Sequence, residues 1–269
     1  MILEKINKHP MSYSPANIEK MHVSLRAVLQ DLQTLILNTV IEGQALEPAS
    51  PVREHLLHGA ARRLQTVKRA LERVFELFPL DSARPLATDA LSDVQTNLHA
   101  FVMNLYGLYD NWAWAFVLRH DLLSRLGDRR RVGLFLQSTQ KFLPAELREH
   151  LTSEAMTRWH GEYAKSFRDA LAHRIPPYVP PSEFTEQESH RFQELEHEKL
   201  QCIRQMRWDR MQEISEEQAA LGRPCFGFMH SFQEDEAPRP ILLHPQLLTD
   251  SITAVECAKL FFAHWHRTA

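Results

Sequence analysis

The chain has 269 residues, of which 44% are hydrophobic and 24% are charged, and its formal net charge is -3. A chain of this size can bury a substantial core without disulfides or structural metals. The net charge excludes a global attraction to nucleic acid or to an anionic membrane, so any phosphate binding has to be local.

Cysteine usage and the N-terminal segment bear on the compartment. Cys202, Cys225 and Cys257 lie far apart and form no CxxC pattern, which is typical of reduced thiols in a cytosolic protein. The N-terminal segment is polar and lacks the apolar region of a signal peptide, and no run of about 18 apolar residues occurs. We therefore expect a cytoplasmic protein with no membrane partner.

Apolar residues at helical spacing predict N-terminal helices over residues 15–78. Ser14-Pro15 begins the first helix, since proline is favoured at the first helical position, and Gly43 can end it. Ser50-Pro51 begins the second helix in the same way, and Pro79 ends it.

The middle of the chain continues the helical pattern. After a proline-containing connection, a third helix is predicted from about Thr88 to about Leu123. The segment "LGDRRRVGLF" breaks this helix and can hold a short one. Pro144 opens another short helix, and a further helix begins near Thr152.

The C-terminal third combines helices with a change of period. Thr185 and Glu188 fit a capping box, and the helix that they begin is predicted to run to about Leu221. The segments "PCFGFMHSF" and "PILLHP" then flank "QEDEAPR", which predicts a short β-hairpin near residues 225–243. A last helix is predicted over residues 247–266.

Together these elements predict an all-α fold. We expect one multi-helix domain over residues 1–269, with N-terminal helices at 15–78 and the appended β-hairpin plus a helix at 224–267. Only eight glycines occur in the chain, which argues against a large β architecture.

The helix that begins near Thr152 ends in "SFRDALAHRIPP", which concentrates charge at its last turns. On an ideal helix, Asp169 lies opposite the apolar stripe, Arg168 lies about 100° to one side of it, and His173 lies about 40° from Asp169. Asp169 and His173 are therefore expected to be neighbours that face away from the core. The stripe comprises Met156, His160, Tyr163, Phe167 and Leu171.

Two interpretations of this cluster remain open. The simpler one is a charged helix end, in which His173 complements the helix dipole and Asp169 pairs with it. Arg174 would then serve the open carbonyl groups, and Pro176-Pro177 would stop the helix. The alternative is a functional site.

The site interpretation rests on a family resemblance. Arg168, Asp169, three further residues and His173, at the end of a helix in an all-α chain, resemble the HEPN signature of an arginine, a polar residue, a short spacer and a histidine. The match is "RDALAH". The following "RIPP" resembles the proline-rich turn of some members, and "LYDNWAWAFVLRH" (Leu108 to His120) resembles their earlier long helix. The resemblance covers about residues 88–221, the expected HEPN-like core, and is closest to uncharacterised prokaryotic members.

The resemblance implies a homodimer in which the motif helices of two subunits meet across a cleft. It also implies RNA cleavage without metal or cofactor, by attack of a ribose 2′-hydroxyl on the adjacent phosphate. Arg168 would hold that phosphate, His173 would be the general base or acid, and Asp169 would orient His173 or hold Arg168. Some HEPN proteins are inactive, so the first alternative is a non-catalytic module for dimerisation or for binding RNA or a nucleotide. A purely structural or regulatory subunit, such as one bound by an antitoxin-type protein, is a further interpretation.

Clustered arginines are the candidates for further RNA phosphate contacts. Ordinary solvation of surface charge explains them as well. They are Arg62, Arg69 and Arg73, which share a helix face, and the run Arg129, Arg130 and Arg131.

A metal enzyme in a helical bundle is the second alternative, because the chain has 15 histidines. No HExxH motif occurs, and the Glu-x-x-His spacing of Glu194 and His197 is a single instance, whereas di-iron bundles need two. No metal ion is therefore expected. The histidines considered as ligands are His150, His160, His190, His197, His230, His244, His264 and His266.

The third predicted helix also carries an aromatic cluster that can stack bases. Helical spacing favours packing in the core or at a dimer interface over base stacking. The cluster comprises Tyr106, Tyr109, Trp112, Trp114 and Phe116.

Overall fold

Helices make up nearly all of the regular structure, as the sequence predicts. The computed structural model describes residues 13–231 and 236–265, and in them the fold is an all-α bundle with one small sheet. No helix in this part of the chain combines the length and apolar character needed to cross a membrane. The helices are α1 (Pro15–Gln44), α2 (Pro51–Glu54), α3 (Arg62–Leu77), α4 (Thr88–Arg119), α5 (Leu123–Leu126), α6 (Gln137–Gln140), α7 (Ala145–Thr152), α8 (Glu154–Arg158), α9 (Lys165–His173), α10 (Glu186–Arg204), α11 (Trp208–Ala219) and α12 (Leu243–Trp265).

The N-terminal helix starts confirm their sequence signals. Helix α1 begins at its proline, and the Ser14 hydroxyl accepts a hydrogen bond from the Asn17 backbone N–H (3.3 Å), which satisfies one open donor of the first turn. Helix α2 also begins with its proline. The prediction that Gly43 ends α1 is wrong, because Gly43 lies inside the helix. A Cβ there would come within 2.5 Å of Leu57 Cδ2, so glycine permits a close approach of two helices.

Two stretches of helix are widened to π geometry. Residues His55–Ala61 join α2 to α3, and residues Trp159–Ala164 join α8 to α9. A π turn takes in more residues than an α turn, so it rotates the positions before it relative to those after it. The apolar period of the sequence predicts neither stretch.

Helix α4 supplies much of the core. It packs against α3 and also contacts α9 and α12, while α12 lies against α1. Each large apolar side chain that the bundle removes from water contributes about 1.5–3 kcal/mol to the free energy of unfolding. Fully buried side chains include Leu98, Phe101, Leu108 and Trp112 of α4, Leu64 and Leu71 of α3, and Phe261 of α12.

The segment after α4 is more broken than predicted. The helix ends at Arg119, before the predicted Leu123, and Asp121 takes a left-handed backbone conformation (φ 50°). The short helix predicted in "LGDRRRVGLF" is a 3-10 turn at Arg129–Arg131. Pro144 precedes α7 as predicted, and the helix expected from about Thr152 begins with α8.

Helices α10 and α11 form an antiparallel helical hairpin where the sequence predicts a single helix to about Leu221. The capping box is confirmed: the Glu188 N–H donates to Thr185 Oγ1 (3.2 Å), and the Thr185 N–H donates to Glu188 Oε2 (2.8 Å). The chain reverses after α10, where Met206 has a φ of 54°. No glycine or proline marks this turn, and so the helical period conceals it. The hairpin has a small core of Leu195, Cys202 and Ile214, with Met211 and Leu221 packed against it.

The predicted β-hairpin is confirmed. Strand β1 (Gly227–His230) pairs antiparallel with β2 (Arg239–Leu242), and α12 follows β2 directly, ahead of the predicted start near residue 247. The part of the predicted turn at residues 232–235, and His266 at the predicted end of the last helix, lie outside the described residues.

Gln95 fastens the proline-rich segment after α9 to α4. Its Nε2 donates to the Pro177 carbonyl oxygen (2.5 Å), and its Oε1 accepts from the Val179 N–H (2.7 Å). His99 Nε2 also donates to the Pro177 carbonyl (2.8 Å). The Val179 N–H thus depends on Gln95, whereas the Pro177 carbonyl has a second donor.

We expect Gln95→Leu to lower the free energy of unfolding by about 1–3 kcal/mol, because it leaves the N–H of buried Val179 without its acceptor. Urea unfolding followed by circular dichroism measures the change. Gln65→Leu, at an exposed position of α3, is the matched control and should change it by less than about 0.5 kcal/mol. Equal effects of the two substitutions would contradict the fastening role.

Candidate functional site

The motif helix α9 is oriented differently from an ideal-helix projection. The π stretch before it shifts the phase of the helix, so the predicted stripe of Met156, His160, Tyr163, Phe167 and Leu171 is only partly correct. Met156 and Phe167 are buried, but Trp159 joins the core while His160 is only half-buried. As a consequence, Arg168 turns toward α4.

Arg168 is held by three interactions. Its guanidinium carbon lies 4.4 Å from the ring centre of Tyr106 on α4, and its Nη2 donates to the Tyr106 hydroxyl (3.2 Å). Its Nη1 pairs with Asp169 Oδ1 at 2.9 Å. Burial by itself would lower the pKa of Arg168, but Tyr106, Asp169 and Asp110 outweigh burial and raise the pKa. The guanidinium group therefore stays protonated and positively charged. The side chain stays 28% exposed, and so an anion can still reach it.

The expected pairing of Asp169 with His173 is wrong. Asp169 pairs with Arg168 and, at 3.5 Å, with Lys165 Nζ. Among the residues that the structure describes, exposed His173 has no hydrogen-bond or ion-pair partner. Of the two roles considered for Asp169, the contacts favour holding Arg168. The outward position of His173 agrees with the prediction, whereas Arg168 and Asp169 are half-buried.

The simpler interpretation expects Arg174 to serve the open carbonyl groups at the end of α9, but its guanidinium reaches the carbonyl of Ser166, in the first turn of that helix. Arg174 Nη2 donates to the Ser166 carbonyl oxygen (3.0 Å), and its Nη1 donates to the Ser231 carbonyl oxygen (3.3 Å). Arg174 therefore ties the end of the motif helix to the β-hairpin side of the bundle, as a structural arginine.

A row of side chains on α4 links Arg168 to a second arginine. Tyr106, Asp110 and Trp114 are spaced by four residues and lie on one face of the helix. The guanidinium of Arg129 lies 4.9 Å from the ring centre of Trp114, as that of Arg168 lies over Tyr106. The two rings that carry the arginines, Tyr106 and Trp114, lie on either side of Asp110 in the sequence and about 12 Å apart along the helix axis. We call Tyr106, Asp110 and Trp114 the α4 row.

The side of the α4 row near Trp114 is built by α3 and the first π stretch. Arg63 Nε donates to Asn111 Oδ1 (2.9 Å), and His55 stacks on Trp114 with ring centres 5.7 Å apart. Burial lowers the pKa of His55, and Arg129 adds to the shift. Each of the two π stretches therefore supplies a histidine near the α4 row, since His160 stacks on Tyr106.

Asp110 is the acid of the α4 row. Removal from water raises its pKa, while the neighbouring cations Arg168 and Arg63 oppose the shift. The residue nevertheless remains exposed at the surface. An anionic ligand on Arg168 would compete with Asp110 for the same cation.

A small cavity opens beside Tyr106 and Asp110. Its volume is about 160 Å³, and its walls include Phe135, His160 and Lys165. Burial lowers the pKa of His160 to about 4, and Lys165 and Arg168 add to the shift, so the imidazole is neutral at neutral pH. A larger cavity of about 370 Å³ lies between α4, α7 and α12. Phe116 and His264 line it, but none of the predicted catalytic or phosphate-binding residues does.

The other predicted phosphate-binding arginines are dispersed. On α3, Arg69 pairs with Glu72 and Glu76, and Arg73 pairs with Glu76 at 2.8 Å, so acidic neighbours partly neutralise them. Arg62 is exposed on the same helix. Arg130 and Arg131 are exposed beside Arg129 in the 3-10 turn, and Arg131 Nη1 donates to the Leu126 carbonyl oxygen (3.3 Å). Only Arg129 of the six stacks on the α4 row.

The predicted aromatic cluster divides into two groups. Tyr109, Trp112 and Phe116 are buried, which confirms the core prediction for them. Tyr106 and Trp114 are half-buried and carry the two arginines. The sequence pattern does not separate these two groups of aromatic residues, and it does not single out Asp110, Arg63 or Lys165. The four-residue spacing of Tyr106, Asp110 and Trp114 was the available signal.

A serine–histidine pair lies behind the motif. Ser166 Oγ and His230 Nε2 are 2.9 Å apart, and both residues are buried. Burial lowers the pKa of His230 to about 4. Such a pair is one component of nucleophilic catalysis, but neither residue lines either cavity. We therefore assign it to packing.

Potential metal ligands do not converge. Within residues 13–231 and 236–265, no group of three or more His, Cys, Asp or Glu side chains is placed to hold a metal ion. Buried His244 has a structural partner, since its Nε2 donates to the Phe78 carbonyl oxygen (2.8 Å). The metal-enzyme alternative therefore has no candidate site in this part of the chain.

The fold and the site together define a helical-bundle protein in which two arginines from other elements stack on aromatic side chains of α4. Comparisons of the chain with protein-family models, with curated proteins and with solved structures gave no match. The HEPN assignment rests on the quoted residues alone and stays a prediction.

Proposed function

We propose that the chain is a HEPN-type endoribonuclease that cleaves RNA without a metal ion. The observation that carries the proposal is the preorganised guanidinium of Arg168, fixed by Tyr106 and Asp169 yet accessible from solvent. A cation fixed before the ligand arrives needs no reorganisation when phosphate charge develops. Arg168 is the first residue of the motif "RDALAH", and the resemblance to the HEPN signature implies that this arginine binds phosphate.

The α4 row supports single-stranded RNA as the ligand. The rings that carry the two arginines lie eight residues apart on α4, about 12 Å along the helix axis. This spacing is too wide for adjacent phosphates of one strand, but it suits two phosphates of the same strand that have a further phosphate between them. The aromatic walls of the small cavity beside Arg168 suit a base. Asp110 interacts electrostatically with Arg168, so a phosphate has to compete with this carboxylate for the cation.

The proposed reaction assigns protons as follows. A base removes the proton of the ribose 2′-hydroxyl, whose oxygen attacks the neighbouring phosphorus. The bond from phosphorus to the 5′-oxygen breaks, that oxygen takes a proton from an acid, and a 2′,3′-cyclic phosphate remains. His173 supplies the acid or base, because an imidazole exchanges protons near neutral pH. Arg168 stabilises the phosphate.

The proposed active form is a homodimer. His173 does not contact Arg168 or Asp169 among the described residues of one chain, so the two groups must meet through a second subunit or through RNA. The surface beside His173 is suited to a partner, since Ile175 is 71% exposed and Tyr178 is 44% exposed.

The test is cleavage of labelled RNA by purified protein in EDTA. Wild type is expected to yield cyclic-phosphate ends, and His173→Ala is expected to lose at least about a hundredfold in rate. His190→Ala, an exposed histidine on α10, is the matched control and should cleave like wild type. Light scattering should find the wild type dimeric. Equal cleavage by His173→Ala and wild type would exclude His173 from the chemistry.

The second candidate is a module that binds RNA without cleaving it. The observation in its favour is the missing contact between His173 and the Arg168–Asp169 pair. This candidate predicts RNA binding that needs Arg168, no cyclic-phosphate products, and no effect of His173→Ala. The cleavage assay and a binding titration on the same proteins separate the two candidates.

A further inference from the structure

The turn between α10 and α11 exposes an apolar surface outside the proposed active site. We define the hairpin tip as residues 200–208, "LQCIRQMRW". A soluble protein usually buries large apolar side chains, and several of them exposed at one place mark an interaction surface. In the hairpin tip the exposed fractions are 47% for Leu200, 40% for Ile203, 75% for Met206 and 56% for Trp208.

Met206 is unfavourable for folding in two respects. Its φ of 54° lies in the left-handed region, where glycine or asparagine is the usual residue. Its side chain is also three-quarters exposed and so gains little from burial. A turn selected for stability alone would carry glycine or asparagine here, and the methionine therefore indicates a use for its apolar side chain.

The charges of the hairpin tip are unbalanced, unlike those of the rest of the helical hairpin. Arg191 pairs with Glu194 and Glu217, and Arg210 pairs with three glutamates. Exposed Arg204 and Arg207 have no ion-pair partner among the described residues. The hairpin tip contains no Asp or Glu, and the nearest acid after it is Asp209, at the start of α11.

We propose that the hairpin tip docks on an anionic lipid surface, with Met206 and Trp208 in the interfacial layer and Arg204 and Arg207 on the headgroup phosphates. Tryptophan favours the membrane interface, and arginine keeps its charge at the headgroups while its stem covers apolar surface. The docking is local, so it needs neither the global attraction that the net charge excludes nor a helix that crosses the membrane.

A bilayer fits this surface better than a second copy of the chain does. Two tips in contact would bring four arginines without ion-pair partners together, and like charges repel. The tip is a convex end of a helical hairpin, and a bilayer accepts a convex wedge without a matching groove. The inference is independent of the proposed RNase activity, since it uses no residue of the α4 row.

The test is co-sedimentation of the full chain with vesicles of phosphatidylcholine alone and of phosphatidylcholine mixed with phosphatidylglycerol. Binding is expected to the mixed vesicles only, with a blue shift of tryptophan fluorescence. Arg204→Gln with Arg207→Gln should weaken partitioning by about tenfold or more, since each basic residue near an anionic surface contributes about fivefold. Met206→Asn with Trp208→Ser should weaken it at least as much.

Two controls separate loss of lipid binding from loss of folding and from a general loss of exposed apolar surface. Met206→Asn relaxes the turn, so the single variant should melt at the same or a higher temperature than wild type while binding less. Leu37→Ser with Ile41→Ser removes two other exposed apolar side chains, on α1, and should leave binding within about twofold. Three results would overturn the proposal: no binding to mixed vesicles, binding unchanged in the tip variants, or a tip variant that alters the oligomeric state instead.

Discussion

Replacing Asp250 by asparagine is expected to raise the free energy of unfolding at pH 8 by about 2–4 kcal/mol and to change it little near pH 4. Asp250 is 2% exposed on α12. Its Oδ1 accepts hydrogen bonds from Trp159 Nε1 and from Gln246 Nε2, both at 2.7 Å. Asparagine keeps this acceptor and removes the charge that the core has to hold.

The pH dependence follows from the pKa of Asp250. Burial raises this pKa from 3.8 to about 7, although the donors Trp159 and Gln246 lower it. Between about pH 4 and pH 7 the folded state therefore binds more protons at this residue than the unfolded state does. Its contribution to the free energy of unfolding falls as the pH rises through this window, and the loss is complete above about pH 7.

Three histidines that the fold wholly or partly removes from water impose the opposite trend on the pH dependence of the wild-type free energy of unfolding. Burial lowers the pKa of His160, His230 and His244 to about 4. The unfolded chain binds more protons at these residues between about pH 4 and pH 6.5, so their contribution to stability rises with pH there. The difference between Asp250→Asn and wild type cancels this trend and isolates the carboxyl group.

Urea unfolding from pH 4 to pH 8 measures that difference. Asp93→Asn, at an exposed aspartate beyond the first turn of α4, is the control and should differ from wild type by less than about 0.5 kcal/mol throughout. A difference for Asp250→Asn that does not vary with pH would contradict a raised pKa for the buried carboxyl group of Asp250.

Replacing Arg168 by alanine is expected to reduce RNA cleavage by about 10²–10³-fold, the usual loss when one preorganised donor to developing charge is removed. Arg168→Lys should recover only part of the rate, because lysine lacks the planar fork that stacks on Tyr106 and pairs with Asp169. Tyr106→Phe keeps the ring and loses only the hydroxyl that accepts from Arg168. We expect this change to be the mildest of the three.

Single-turnover cleavage and RNA-binding titrations on the same proteins measure these effects. Arg158→Ala is the control, since Arg158 is an exposed arginine of α8 that pairs with Glu162, and it should behave like wild type. Equal loss of RNA binding in Arg168→Ala and in the control Arg158→Ala would indicate general charge attraction instead of a defined site. If wild type does not cleave RNA and Arg168→Ala loses RNA binding, the result would support the second candidate, a module that binds RNA without cleaving it.

Local sequence signals determined the helix starts and the fold class. The Ser14 cap and the capping box of Thr185 and Glu188 are formed as predicted, because each involves residues within one helical turn. The β-hairpin was readable for the same reason, since a change to a two-residue period is visible over a few residues. Apolar stripes likewise identified most of the core of α3 and α4.

Packing decided what local signals do not carry. The π stretch at Trp159–Ala164 rotated the motif helix, and Arg168 therefore stacks on Tyr106, 62 residues away in sequence. The turn at Met206 has no local breaker and follows from the packing of Cys202 against Ile214. The motif "RDALAH" could thus be recognised from the sequence alone. The partners of Arg168 and the burial of Asp250 came only from the tertiary structure, because contacts between distant residues depend on how helices pack and leave no periodic trace in the chain.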